Sequence, residues 1–208
     1  MCGIVGYIGD KNAYEIVING LRRLEYRGYD SSGIALYNSE LNVCKTKGKV
    51  EKLVKKAKKR IPLKATIGIG HTRWATHGEP NDTNAHPLIS NNGSLVIVHN
   101  GIIENYATIK NELISKGYKF KSETDTEVLI NLIEYVQKNE NVKLGKAVQL
   151  ALSQVVGAYA IAVFDKKKPD EIVVARLGSP LAIGIGEGEM FIGLSLIHIS
   201  EPTRLNPI

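Results

Sequence analysis

The second residue of the chain is a cysteine, in the run Met1-Cys2-Gly3-Ile4-Val5-Gly6. An initiator methionine ahead of a small residue is ordinarily removed. Removal here would put a thiol and an α-amine on one residue. An α-amine titrates at about 7.7–8.0, so a useful fraction is neutral near pH 7. That neutral amine can take the thiol's proton, and the nucleophile then carries its own base. A small buried cysteine opening a strand is the plainer reading of the same residue. The remaining residues decide between the two.

A cysteine that cleaves amides requires donors aimed at the oxyanion formed when the carbonyl is attacked. Asn100-Gly101 fits, with a carboxamide and an adjacent backbone N–H, and glycine admits a substrate close to the backbone. The same pair also reads as a hairpin turn. An amino-acid substrate would call for an arginine fork at its carboxylate and a carboxylate at its ammonium. Arg73 and Asp125 are suitable, each beside small polar residues. Asp125 equally suits the first turn of a helix, and Arg73 a surface ion pair. Trp74, next to them, fits a lid or, as is usual for tryptophan, a core aromatic. His71, His77, His86 and His99 lack HExxH or CxxC companions, and Cys44 is distant. They read as hydrogen-bonding scaffold, and neither a metal site nor a cofactor is expected.

These residues fall in four polar clusters, at 27–33, 71–80, 99–105 and 122–127, each ending a strand or opening a helix. Residues 2–8 and 33–38 read as strands, with a helix between them carrying Ala13, Ile16, Val17, Leu21 and Leu24 on one face. A second helix follows from Val50, Leu53, Val54, Ala57 and Ile61. Residues 66–70 and 95–99 are strand-like, separated by a polar stretch with Pro80, Pro87 and an Asn-Asn-Gly turn. Three helical patterns come next. The first carries Ile103, Tyr106, Ile109, Leu113 and Ile114, the second Val128 to Val136, the third Leu144 to Val155. Strands return at 159–164, 171–175 and 181–185. Strands, then helices, then strands favour an α+β layering over strict alternation.

Size and charge bound the rest. The 208 residues allow one large domain, and 43% hydrophobic with 23% charged is an ordinary soluble balance. Two cysteines give no disulfide framework, which points to the cytoplasm. No stretch has the ~20 apolar residues of a membrane helix, and no signal peptide is visible, so no membrane partner is expected. Net charge is +6, and residues 45–64 hold ten Lys/Arg against the single acid Glu51. The lysines line the face opposite the apolar positions and no aromatic is interleaved, so a solvated helix is expected rather than a nucleic-acid surface. The glycines at 184, 186 and 188 lack dinucleotide-fingerprint spacing.

With these residues in place the chain resembles a family: the N-terminal glutaminase domains of the isomerising glutamine–fructose-6-phosphate aminotransferases, among the class-II glutamine amidotransferases. The matching runs are MCGIVGYIG, RRLEYRGYDSSGIA, HTRWATHGEP, NAHP, VHNGIIENY, SETDTEV, GAYAIAVFD and ARLGSPLAIGIGEGE, over residues 1–192. The RGYDSSG and HTRWATHG forms look like the aminotransferase rather than the phosphoribosyl-transferring branch. The resemblance implies a four-layer αββα sandwich of the N-terminal-nucleophile hydrolase type, acting on L-glutamine without a cofactor. It implies Cys2 as nucleophile and Asn100 and Gly101 as oxyanion donors. Arg73 would hold the substrate carboxylate and Asp125 its amino group. Thr76 and His77 would line the pocket, Trp74 would belong to a closing loop, and Arg27 would orient the terminal residue. Full-length relatives would add sugar-phosphate isomerase domains and form homo-oligomers. Residues 193–208 fit nothing in the family pattern and are set aside as non-native.

Overall fold

A computed structural model of the chain describes residues 2–74 and 78–194. Strand β1 (Gly3–Gly9) starts directly after Cys2 and leads into helix α1 (Ala13–Leu24). The Asn12 side chain caps that helix by accepting from the Tyr14 N–H at 3.3 Å. Next come the hairpin β2 (Ser31–Asn38) and β3 (Glu40–Lys47), helix α2 (Val50–Arg60) and strand β4 (Ile67–Arg73). The chain ends, among the described residues, on strands β9 (Ala182–Gly186) and β10 (Glu189–Gly193). These six strands form one antiparallel sheet in the order β3-β2-β4-β1-β10-β9, which places β1, the strand after Cys2, near its middle.

The second sheet has four antiparallel strands, in the order β5 (Leu88–Ile89), β6 (Leu95–Ile103), β7 (Gly157–Asp165) and β8 (Lys168–Leu177). Helices α3 (Tyr106–Ser115), α4 (Asp125–Asn139) and α5 (Leu144–Leu152) lie between β6 and β7 in sequence.

Three apolar clusters define the layers. Ile4, Ala35, Ile67 and Ile69 of the first sheet meet Val96, Val98, Ala160 and Phe164 of the second. Val5, Tyr7 and Ile34 point the other way, onto Val17 and Leu21 of α1 and Leu53 of α2. Leu95, Ile97 and Ile161 pack against Leu129 and Ile133 of α4 and Val148 of α5. Side chains alternate between the faces of a strand, so strands covered on both sides are apolar throughout. The result is helices, sheet, sheet, helices, an αββα sandwich of the α+β class.

Several elements differ from the sequence-based expectation. Strand β6 does not stop at residue 99 but runs through Asn100-Gly101 to Ile103, paired with β7 over its whole length. The Asn-Gly pair is therefore not a hairpin turn. Ile103 belongs to that strand rather than to α3, and Ile114 is half-exposed on α3. Strand β3, GluLeuAsnValCysLysThrLys in sequence, carries too many charges to read as a strand and forms as the sheet's edge. Ile61 follows α2 as its C-cap rather than lying within it. Gly193 completes β10 opposite Val5, and Leu194 is buried; the remainder of the segment set aside, residues 195–208, lies outside the described residues.

Candidate active site

The ends of β1, β4 and β6, with the start of α4, converge on one cavity of 280 Å³. Cys2, Arg27, Arg73, Trp74, Asn100, Gly101 and Asp125 all line it. Seven of the nine residues singled out from sequence are thus brought together. The other two, Thr76 and His77, lie outside the described residues.

Cys2 is half-buried, just before β1. Its Sγ receives the Trp74 N–H at 3.2 Å and lies 3.5 Å from the Trp74 carbonyl oxygen. Burial pushes the thiol's pKa up, while the Trp74 hydrogen bond and Arg73 pull it down without cancelling the rise. Only a thiolate is a strong nucleophile, and burial here disfavours that form. Trp74 itself is 46% exposed, with its ring set edge-on to Tyr29 at 5.7 Å, so the core-aromatic reading does not hold.

The backbone at residues 73–74 is held by the first polar cluster. The Asp30 N–H donates to the Arg73 carbonyl at 3.1 Å, and Gly28 packs against the same peptide, where a Cβ would come within 2.8 Å of the Arg73 carbonyl carbon. That contact gives Gly28 a structural reason to lack a side chain. The 27–33 segment thereby positions the N–H that bonds Cys2 Sγ.

Arg73 is buried, and its Nη2 donates to the Gly78 carbonyl at 3.3 Å. Burial lowers its pKa while Cys2, Asp125 and Asp30 oppose that, and a guanidinium stays charged regardless. Asp125 is the first residue of α4, behind the Thr124 cap, whose hydroxyl accepts the Glu127 N–H. Glu127 in turn accepts from the Ser122 N–H and hydroxyl at 2.6 and 2.7 Å, and Ser122 Oγ accepts the Thr124 N–H at 3.3 Å, which fixes this turn. One Asp125 oxygen, Oδ2, accepts the Ile103 N–H at 2.9 Å. Asp125 thus both starts α4 and lines the cavity. Asn84 ties the two walls, donating to the Glu79 carbonyl at 3.1 Å and to Glu123 at 3.0 Å.

Asn100 projects from β6 into the space between the sheets. Its Nδ2 donates to the Cys2 carbonyl at 3.2 Å, which ties the carboxamide to the residue that carries the thiol. Gly101 has φ +131, a backbone region that side chains rarely enter, and any Cβ there would run into the Ala158 carbonyl oxygen. Glycine at 101 is fixed by the fold as well as by any chemistry.

Several contributors escaped the sequence reading, Leu194 of the segment set aside among them. The Trp74 backbone N–H carries no sequence signal, because every non-proline residue has one. Ser179 and Pro180, in the turn between β8 and β9, also line the cavity. They lie in the ARLGSPLA run, whose repetition of a family pattern was the available hint.

Two antiparallel sheets face to face, helices on both outer sides and a cysteine at the head of a central strand define the N-terminal-nucleophile hydrolase class of amidotransferase. The chain belongs to the glutamine amidotransferase domain family, whose model matches residues 56–195. It is 58% identical over 98% of its length to the glutamine–fructose-6-phosphate aminotransferase [isomerizing] of Bacteroides thetaiotaomicron. It is 53% identical over 98% to that of Caldanaerobacter subterraneus and 52% over 92% to that of Thermococcus kodakarensis. The chain spans about a third of the length of these relatives. Among solved structures, an allosteric regulatory enzyme of purine biosynthesis superposes with a TM-score of 0.83 at 30% identity, over 95% of this chain and 42% of that one. The glutamine phosphoribosylpyrophosphate amidotransferase of B. subtilis does so with 0.79 at 29% identity, over the same shares.

Proposed function

We propose that this chain is a glutaminase domain in which Cys2, with its amine freed by loss of Met1, attacks the side-chain amide carbon of L-glutamine. The neutral α-amine takes the thiol proton and the thiolate adds to the carbonyl. Asn100 Nδ2 and the Gly101 N–H donate to the oxyanion that forms. The α-ammonium returns the proton to nitrogen, the C–N bond breaks and ammonia leaves. Water then hydrolyses the γ-glutamyl thioester to glutamate, with the amine again as base. Arg73 pairs with the substrate's α-carboxylate and Asp125 with its ammonium. Trp74 belongs to the loop that closes over the bound substrate, Thr76 and His77 contribute to the glutamine pocket, and Arg27 orients the terminal residue.

The observation that carries this reading is the convergence of Cys2, Arg73, Asn100 and Asp125 on a single cavity large enough for an amino acid. In the full-length protein the ammonia would pass to D-fructose 6-phosphate and yield D-glucosamine 6-phosphate, as the names of the relatives suggest. Identity of 58% to that group against 30% to the purine enzyme favours it over the phosphoribosyl branch. The chain alone should therefore release glutamate and ammonia but make no amino sugar. Further domains, self-association and a reducing cytoplasm suited to a free thiol complete the proposal.

The test is a chain that keeps Met1. Its amine is then removed from Cys2 by one peptide bond, and turnover should fall to background while the fold persists. Full glutamine hydrolysis by protein shown by mass spectrometry to carry Met1 would overturn the mechanism.

A further inference from the structure

We propose that His71 is a positioning residue of this site, one that sets the amide orientation of Asn100 so that nitrogen, not oxygen, faces the nucleophile. The proposal deepens the hydrolytic reading above and rests on it for the role of Asn100.

His71 lies on β4 and is fully buried. It follows Ile67 and Ile69 on the face that looks across to the second sheet. There its Nε2 is 3.0 Å from the His99 carbonyl oxygen and 2.8 Å from Asn100 Oδ1. A backbone carbonyl only accepts, so Nε2 must carry the hydrogen. The group of Asn100 that meets this N–H must then be its oxygen. The carboxamide nitrogen is turned the opposite way, onto the Cys2 carbonyl. A flipped Asn100 would set its NH₂ against the His71 N–H and its oxygen against the Cys2 oxygen, losing both bonds at once.

The ring is suited to hold this state. Burial lowers the His71 pKa to about 3, so the imidazole is neutral across the working range and keeps one N–H. Arg73 and His99 push in the same direction, while Asn100 and the His99 carbonyl oppose them. The His86 ring packs beside it at 4.4 Å, and burial keeps that imidazole neutral too. Nδ1 of His71 has no hydrogen-bond partner among the described residues. All the directional bonding the ring shows there is therefore spent on Asn100 and the adjoining carbonyl. The neighbouring His99 has a different task, because its Nδ1 bonds to Thr126 Oγ1 at 2.8 Å on the helix side of the sheet.

His71 touches no reacting atom in this scheme, so its effect must pass through Asn100. The experiment is a double-mutant cycle. His71→Leu and His71→Gln are made in the Met1-processed protein and again with Asn100→Ala. Glutamine turnover and Cys2 alkylation by iodoacetamide are measured for each. Alkylation displaces iodide at a saturated carbon and forms no oxyanion. His71→Leu should lower kcat at least 10-fold and at most by the roughly 10²–10³ that losing an oxyanion donor outright costs. KM and the alkylation rate should stay within about threefold. His71→Gln, whose amide nitrogen sits the same number of bonds from Cα, should recover most of kcat. On the Asn100→Ala background His71→Leu should cost nothing more.

Unchanged kcat in His71→Leu, a further loss on the Asn100→Ala background, or an equal fall in alkylation would each overturn the proposal. If His71→Leu does not fold, the imidazole ¹⁵N shifts of the unmutated protein decide. A proton on Nε2 supports the assignment and a proton on Nδ1 ends it. That measurement stands even if the processed protein hydrolyses no glutamine, in which case the functional reading fails separately.

Discussion

Replacing Gly101 by alanine separates the backbone's part in this site from that of the side chains. Gly101 holds φ +131 within β6, opposite Tyr159 of β7. A methyl group there would meet the Ala158 carbonyl oxygen and then the Tyr159 Cα at 2.9 Å. Both obstacles are backbone of a paired central strand, and neither can turn aside as a side chain would. The methyl has to withdraw by about an ångström, and the residue 101 peptide must move with it. A misplacement of about 1 Å at a reacting centre can cost on the order of 10²-fold, and loss of an oxyanion donor about 10²–10³. Gly101→Ala should therefore lower kcat by about 10²–10³. Holding a residue in this backbone region costs about 1–3 kcal/mol, which should appear in urea unfolding. Iodoacetamide alkylation of Cys2 should change little, because β1 and the Trp74 N–H are untouched. Steady-state glutamate release, alkylation and urea midpoints on one preparation suffice. A Gly101→Ala protein with near-normal kcat and stability would show that the strand relaxes freely, and the assignment of this N–H as an oxyanion donor would fall.

Two further outcomes follow from charge. Asp125→Asn keeps an oxygen for the Ile103 N–H but removes the negative charge facing the substrate ammonium; KM for glutamine should rise about 10- to 100-fold, since a hydrogen bond to a charged group contributes about 1.5–3 kcal/mol, and calorimetric binding to a Cys2→Ala protein checks it. His71 is neutral in the fold down to about pH 3, whereas an unfolded histidine takes its proton near 6.5, so between these values the unfolded chain binds more protons. Stability should then fall as pH drops below about 6.5, by up to about 1.4 kcal/mol per pH unit for this residue, with His86 acting in the same direction. Urea midpoints between pH 5 and 7, where few carboxylates titrate, should show that slope, and His71→Gln should flatten it.

Much of the layering was legible because buried strands and helices write their faces into the sequence. Val17 and Leu21 on α1 and Val96 and Val98 on β6 lie at helix and strand spacing, and they pack as that spacing requires. Strand β3 was not legible, since an edge strand with one wetted face tolerates Glu40, Lys45 and Lys47. The course of the chain through Asn100-Gly101 was hidden for another reason. Locally the pair favours a turn, and only nine paired positions along β7 hold it extended. The polar residues of the site could be named in advance, as could the chemistry each type could do. The bond from the Trp74 N–H to Cys2 could not, because backbone donors leave no trace in residue identity.

Strand β1, which follows Cys2, lies between β4 and β10, neighbours drawn from residues 67–73 and 189–193. A ribosome that has released only the first half of this domain can offer β1 one flank but not the other. The Val5–Gly9 stretch of β1 thus gains its second flank only once residues 189–193 have been made. A chain cut before residue 189 would leave that side of β1 as an unpaired sheet edge.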